Sequence, residues 1–211
     1  MRAAVIILGL LIALALPELP IKDFVAPTTT LTGHLEREAF FWIVTAILVA
    51  YVLVVERRPL SSIGLRRPGW MTVPVGIAAG IVLVAGFVAI FTVVMPALHI
   101  PPNTGAMAGL MHTPLWFRIL LVLRAAVFEE ICYRGYAIER VQELSGSRVL
   151  AFVVSVVAFT LAHAGYWGWS ALLVPAFGGL VFAALYLWRC DLVCNMVAHF
   201  VADGAGFLFG G

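Results

Sequence analysis

Three groups of polar side chains lie at helical spacing inside otherwise apolar stretches of this sequence. They are Glu129 and Glu130 with Arg134, then His163 four residues after Phe159, then Asn195, His199 and Asp203. Residues four apart are neighbours on one side of an α-helix, so each group gives its helix a polar face. Ionisable groups on apolar helices are costly to bury and usually face a bundle interior or a watery cavity. We therefore treat the three groups as one candidate site.

One of the two adjacent carboxylates can have a structural role while the other takes part in acid–base chemistry. Glu130 and Arg134 share a helix face and can form an ion pair, whereas Glu129 is turned about 100° away from that face. One carboxylate can thus be neutralised while its neighbour accepts a proton from water as a general base. In the alternative interpretation, the pair marks the polar end of a helix that finishes near Glu139 and Arg140. A position about 15 Å inside that end favours the buried role.

Each histidine alone is more typical of a core or interfacial residue, but their depths allow a shared site. At about 1.5 Å per residue from the helix ends, Glu129 and His199 lie roughly 14 Å deep and His163 roughly 21 Å. All three fall near the middle of a hydrocarbon core about 30 Å thick. His99 and His112 lie in or beside a proline-rich loop, where we expect them to be solvated.

The composition predicts an integral membrane protein. Hydrophobic residues make up 63% of 211 positions and charged residues 11%, against about 45–50% and about 25% in soluble domains. The net charge of +2, without a basic run, argues against a nucleic-acid partner. Three cysteines without a Cys-x-x-Cys motif predict packed thiols rather than a disulfide framework or a zinc knuckle.

Hydropathy predicts an all-α fold, a multi-pass transmembrane bundle of about seven helices. Their approximate ranges are 3–16, 39–55, 72–95, 113–138, 149–163, 171–188 and 190–209. Residues 1–38 would hold the first helix, either an anchor or a signal-like segment, and an outer loop. Residues 39–211 would form the intramembrane bundle, with the catalytic core at 113–209. Small residues four apart, at Gly76 and Gly80 and at Gly179 and Ala183, predict close helix contacts.

Lysine and arginine in short loops predict the orientation in the membrane. One side collects Arg2, Arg57, Arg58, Arg66, Arg67, Arg140, Arg148 and Arg189. The opposite loops offer Lys22 and Arg37, a Pro-Pro-Asn turn and an aromatic turn at 166–169. The asymmetry predicts that the N-terminus lies inside and the C-terminus outside. Small size and the lack of a soluble domain favour a prokaryotic inner membrane.

Taken in order, the polar groups resemble the motifs of the CPBP family of intramembrane proteases, which includes CAAX prenyl endopeptidases and Abi-type relatives. That family's pattern is Glu-Glu-x-x-x-Arg, then Phe-x-x-x-His, then His-x-x-x-Asn or Asp, on successive transmembrane helices. The most specific part here is the Glu-Glu-x-x-x-Arg-Gly stretch that follows Phe128. The resemblance covers roughly residues 113–209.

The resemblance implies peptide-bond hydrolysis inside the membrane. Glu129 would activate a water molecule that His163 helps to hold, and Arg134 would pair with Glu130 to fix the helix geometry. His199 would donate to the oxyanion. The family often has Asn where this sequence has Asp203, so Asp203 would instead orient His199 or stay protonated.

The expected mechanism uses no cofactor, because the zinc-protease motif His-Glu-x-x-His is absent from the sequence. In the alternative, Zn²⁺ would be held by Glu129, His163, His199 and Asp203. The expected partners are the lipid bilayer and a membrane-anchored peptide or protein substrate. That substrate would present a CAAX-like C-terminus, a peptide precursor or a C-terminal sorting tail.

Two other classes of function remain open on the sequence. A proton-relay transporter would also need buried carboxylates and histidines, although the sequence has no inverted repeat of the kind many transporters show. A non-catalytic membrane partner, such as an immunity protein, would keep the fold without the chemistry. Replacing Glu129 with glutamine should inactivate an enzyme and spare a scaffold.

Overall fold

The computed structural model describes residues 2–19, 30–101 and 109–208, and these ranges contain helices and no strand. The predicted all-α fold is confirmed. The longer helices are α1 (Arg2–Leu14), α2 (Leu31–Val55), α3 (Thr72–Ala97), α4 (115–145), α5 (Arg148–Ala162), α6 (Leu173–Arg189) and α7 (Leu192–Phe207). A short helix, Ala164–Trp167, connects α5 to α6.

Two of the described helices are long and apolar enough to cross a membrane by length and composition. These are α2 with 25 residues and α3 with 26. The helices α5, α6 and α7 are apolar but shorter, at 15, 17 and 16 residues, below the roughly 20 that an untilted span requires. Crossing by all seven helices therefore stays a prediction.

The start of α2 differs from the sequence prediction. We predicted a helix over 39–55, but α2 begins at Leu31, and the Thr30 side chain caps it by accepting from the Gly33 amide at 3.1 Å. The first two turns carry His34 and Glu38, among other polar residues that lowered the local hydropathy. The predicted boundary between residues 38 and 39 thus falls inside a helix.

The helix α4 is longer than predicted and changes its winding where the acidic motif lies. It consists of an α-helix Leu115–Glu129, a π-helical segment Glu130–Ile138 and an α-helix Glu139–Ser145. All nine residues of the π segment are buried, and such wide turns often mark functional sites. The helix ends at Gly146, whose φ of 70° is in the left-handed region that glycine adopts at low cost.

The first helix packs into the bundle against the π segment of α4. A side chain at Gly9 would collide with Tyr136 and Tyr51, so only glycine fits there. The Tyr51 hydroxyl also donates to the carbonyl of Val5 at 2.7 Å. The helix α1 is therefore a structural part of the bundle described here.

The predicted close contacts between small residues are present. A Cβ atom on Gly80 would lie 2.6 Å from the Val201 Cβ, and one on Gly76 would lie 2.8 Å from the Val197 Cβ. These contacts join α3 to α7 with their backbones close together. A Cβ atom on Gly179 would similarly press on α5. This packing fixes α7, which carries one histidine of the candidate site.

One end of the bundle, which we call the basic end, collects the arginines predicted to face the cytoplasm: Arg2, Arg57, Arg58, Arg66, Arg67, Arg140, Arg148 and Arg189. Several of them tie helix ends together there. Arg2 and Arg58 both pair with Glu143, at 2.9 and 2.6 Å, and Arg140 pairs with Glu56 at 2.6 Å. These contacts hold the start of α1, the end of α2 and the end of α4 at one side.

Candidate active site

A cavity of about 670 Å³ lies among the helices, and four of the predicted site residues line it. Glu129 ends the first part of α4, His163 follows α5, and His199 and Asp203 are one turn apart on α7. The volume is within the range of enzyme and ligand sites, roughly 300–1,000 Å³. The structure thus brings together residues from three helices that are distant in sequence.

Glu129 faces both histidines. Its Oε2 atom is 3.7 Å from the His163 Nε2 atom and 3.8 Å from the His199 Nε2 atom. These separations are too long for direct hydrogen bonds and allow one water molecule to bridge the groups. A carboxylate and an imidazole are thus arranged around a position that a water molecule could fill.

The position of His163 at the end of a helix fixes which of its ring nitrogens faces Glu129. Its Nδ1 atom is 2.7 Å from the Phe159 carbonyl oxygen. A carbonyl only accepts, so Nδ1 carries the hydrogen, and Nε2 of the neutral ring is an acceptor. The His163 amide bonds instead to the Thr160 carbonyl, as happens in the last turn of a helix. This leaves the Phe159 carbonyl for the ring and accounts for the four-residue spacing.

His199 lies between carboxylates and is almost fully buried. Its Nδ1 atom is 2.8 Å from the Glu130 Oε1 atom, and its Nε2 atom is 3.4 Å from the Asp203 Oδ2 atom. The ring stacks on Phe182, with centroids 4.5 Å apart. When Nδ1 donates to Glu130, Nε2 carries a hydrogen only in the imidazolium form. Negative charge on two sides stabilises that form.

Glu130 does not line the cavity and instead supports the residues that do. Its carboxylate accepts from Arg134 at 3.0 Å, from the Asn195 amide at 3.0 Å and from His199 at 2.8 Å. Glu130, Arg134 and Asn195 are all fully buried. The predicted ion pair between Glu130 and Arg134 is present, and it holds the second ring nitrogen of His199 in place.

The Arg134 guanidinium is placed by aromatic rings as well as by its ion pair. Its Cζ atom lies 4.0 Å from the centroid of the Phe159 ring and 5.0 Å from that of Phe182. A cation over the faces of desolvated rings gains about 2 kcal/mol. Phe159 therefore contributes its carbonyl to His163 and its ring to Arg134.

The comparison with known families agrees with the geometry of this cavity. Residues 111–205 match the family model described as type II CAAX prenyl endopeptidase Rce1-like. We call this stretch, 95 of the 211 residues, the Rce1-like domain because of that similarity. The match confirms the predicted resemblance. The family consists of membrane-integral proteases. No curated protein and no solved structure matches this chain.

The Rce1-like domain contains all six predicted site residues, and its limits lie close to the predicted core of 113–209. It begins just before α4 and ends in the last turns of α7. The helices α1, α2 and α3 lie outside it. The turn after α1, the helix α2 and the helix α3 nevertheless contribute walls to the cavity.

Two charged residues at the cavity were not identified from the sequence. Arg124 donates to both oxygens of Glu38, at 2.8 and 3.1 Å, and lies 3.4 Å from the Glu129 Oε1 atom. Both members of the pair are buried and line the cavity. Arg124 lies five residues before Glu129, which hides it from a search at four-residue spacing, and Glu38 fell in a predicted loop. The signal that could have indicated a buried partner is an arginine inside an apolar stretch.

Asn195 connects three helices, a role that its position on the polar face of α7 did not indicate. Its amide donates to Glu130 and, at 2.8 Å, to the Phe182 carbonyl of α6. It thereby links α4, α6 and α7 behind the cavity. The sequence placed Asn195 on the same face as His199 but gave no reason to connect it with Glu130.

The donors in the Rce1-like domain are carboxylates and imidazoles, types that bind zinc. Within 2–19, 30–101 and 109–208, no group of three or more His, Cys, Asp or Glu side chains could hold a metal ion. Both histidines hold one ring nitrogen on an acceptor, an arrangement that zinc ligands share. The zinc alternative therefore stays a prediction for experiment. Cys132 and Cys194 are buried thiols, as predicted, whereas Cys190 is partly exposed.

Proposed function

We propose that the protein is an intramembrane endopeptidase that hydrolyses a peptide bond of a membrane-associated substrate with water activated by Glu129. The observation that carries the proposal is the position of the Glu129 Oε2 atom, 3.7 Å from His163 and 3.8 Å from His199 inside the cavity. The membership of residues 111–205 in a protease family supports the reaction type.

The attacking water is held by two acceptors in this proposal. One hydrogen points to the Glu129 carboxylate and the other to the His163 Nε2 atom, which leaves an oxygen lone pair directed at the scissile carbonyl. As the carbon–oxygen bond forms, Glu129 takes the proton as general base. It then gives that proton to the departing amine, so that the peptide bond breaks into a free amine and a carboxylic acid, which loses its remaining proton to solvent.

His199 supplies the complementary charge for the carbonyl oxygen. In its imidazolium form, Nε2–H donates to the oxyanion while Nδ1–H is held by Glu130. Asp203, 3.4 Å from Nε2, stabilises the positive ring before substrate arrives. A donor that is already oriented and charged costs no reorganisation during the reaction.

We also propose how the helices are arranged in the membrane. All seven helices cross the inner membrane of a prokaryote, with the basic end in the cytoplasm, the N-terminus inside and the C-terminus outside. The clustering of arginines at one end of the bundle supports this orientation. At about 1.5 Å per residue, the 15–17 residues of α5, α6 and α7 span about 22–26 Å. That length approaches a thin bilayer core.

Proteolysis by purified protein in lipid vesicles tests the proposal. The probe is a membrane-anchored peptide, and wild type is compared with Glu129→Gln and with Glu36→Gln, an exposed carboxylate on α2 outside the cavity. We expect cleavage in wild type and Glu36→Gln and none in Glu129→Gln, whether or not a zinc chelator is present. Cleavage that chelator abolishes and Zn²⁺ restores would instead make Glu129, His163, His199 and Asp203 metal ligands. If no peptide is cut, but Glu129→Gln abolishes a proton flux that wild type shows across the vesicle membrane, the relay function is favoured.

A further inference from the structure

The cavity is lined by the parts of the helices that lie away from the basic end. Its walls include Glu18 from the turn after α1, Arg37 from the start of α2, His163 after α5 and Phe207 at the end of α7. Among the residues that line it, none is an arginine of the basic end. The cavity therefore occupies the opposite half of the described bundle.

Exposure distinguishes the mouth of this cavity from its floor. The exposed members of its lining are Glu18, Arg37, Val88, Phe91, Gly109 and Gly206. Phe159 and His199, deeper in the lining, are only 3% and 2% exposed. Glu18, Arg37 and Gly206 lie near helix ends remote from the basic end, and Val88 and Phe91 lie in the second half of α3, also away from it. The mouth therefore opens on that side.

The charge distribution indicates which side of the membrane the cavity mouth faces. Eight of the 13 lysines and arginines are at the basic end, and Arg124 and Arg134 are buried inside the bundle. The remaining three, Lys22, Arg37 and Arg118, belong by sequence to the other side. Such an excess in short loops faces the cytoplasm. The mouth therefore faces away from the cytoplasm.

The depth of the floor limits which polypeptides can reach Glu129. Gly206 at the rim and His199 at the floor are seven residues apart on α7, which corresponds to about 10 Å. An extended chain covers about 3.3 Å per residue, so about three residues reach the floor and about six are needed to enter and leave. A flexible segment satisfies this requirement, whereas a folded domain does not.

From these observations, and on the basis of the proposed function, we infer that the enzyme cleaves membrane-anchored polypeptides whose flexible segment lies on the non-cytoplasmic side of the membrane. Its substrates would be exported precursors or anchored proteins that present a tail or loop there. A CAAX-type tail displayed in the cytoplasm would meet the basic end instead of the cavity mouth.

Thiol labelling in intact cells tests the side of the mouth without requiring any substrate. The variant Glu18→Cys places a thiol at the rim, and the native Cys190, beside Arg189 and partly exposed, reports on the basic end. A membrane-impermeant maleimide should label Glu18→Cys in intact cells and should label Cys190 only after the membrane is permeabilised. The wild-type protein gives the background for native thiols. Labelling of Glu18→Cys only after permeabilisation would overturn the inference.

Two reporters then separate this inference from the proposed function. Each carries one transmembrane anchor and the same library of random flexible tails, displayed outside the cell or in the cytoplasm, and Glu129→Gln provides the background. We expect cleavage of the outer library only. Cleavage of the cytoplasmic library alone overturns the inference and leaves the protease intact. If neither library is cut while labelling places the mouth outside, both the proposed protease function and this substrate class are refuted.

Discussion

Replacing Glu130 with glutamine removes the negative charge that three buried donors share. Arg134, Asn195 and His199 all donate to this carboxylate at 2.8–3.0 Å. The substitution leaves the Arg134 guanidinium fully buried without a counter-ion, and breaking a buried pair in this way costs about 3–5 kcal/mol. The ratio of folded to unfolded protein should therefore fall by at least about a hundredfold.

Thermal unfolding of purified protein in lipid nanodiscs measures this loss. A cost of about 3–5 kcal/mol corresponds to a fall in Tm of about 6–20 °C for a chain of this size. The double variant Glu130→Gln with Arg134→Met removes both charges and places a thioether against the rings of Phe159 and Phe182, where sulfur packs favourably. Replacing both partners of a buried pair is often close to neutral, so the double variant should recover most of the lost Tm.

Proteolysis separates the structural role of this pair from its effect on the site. Both variants leave His199 without a carboxylate on Nδ1, so we expect cleavage to stay at least about tenfold below wild type even where Tm recovers. A single variant that melts like wild type would refute the buried-charge argument. A double variant with full activity would show that Glu130 does not position His199.

Three further outcomes follow from the described contacts. Arg124→Lys loses the paired hydrogen bonds to Glu38 and with them the position of the charge beside Glu129. Cleavage should therefore slow by about tenfold and its pH optimum should move, while Tm changes little. An unchanged pH profile would show that Arg124 does not position a charge beside Glu129. Gly80→Leu should push α3 away from α7 and lower Tm by several degrees, since overpacking costs about 1–3 kcal/mol. Gly109→Ala should melt like wild type, because no neighbouring atom lies within 4 Å of a Cβ atom placed there. The Arg58 guanidinium lowers the pKa of Glu143 to about 2, below its unfolded value of about 4.3. The resulting stabilisation, about 1 kcal/mol for a pair still in contact with solvent, is present above that unfolded pKa and is lost as pH falls towards 2, so Tm should fall less steeply with acidification in Glu143→Gln.

The sequence was informative where a chemical requirement imposed a short spacing. The four-residue intervals from Glu130 to Arg134 and from Phe159 to His163 correspond to an ion pair and to a ring–carbonyl hydrogen bond. Such contacts within one helix depend only on helical geometry. For that reason the polar faces, and the helices that carry them, could be predicted from one chain.

Contacts between helices were beyond the same reasoning. Glu38 and Arg124 are 86 positions apart, and no spacing rule connects them. Hydropathy predicts a loop at the polar start of α2, because it recognises only the apolar part of a helix that borders a watery cavity. The π-helical turns of α4 were equally hidden, since hydropathy and residue spacing do not distinguish a π-helical turn from an α-helical one.

The most direct test of the central claim is to run the cleavage reaction in water enriched in ¹⁸O, with wild type and Glu129→Gln in lipid vesicles. Hydrolysis by an activated water predicts that wild type places one heavy oxygen in the new C-terminal carboxylate of the product, as read by mass spectrometry. Glu129→Gln should form no labelled product at equal protein abundance. Labelled product from Glu129→Gln at the wild-type rate would contradict the account, because a water would then be activated without this carboxylate.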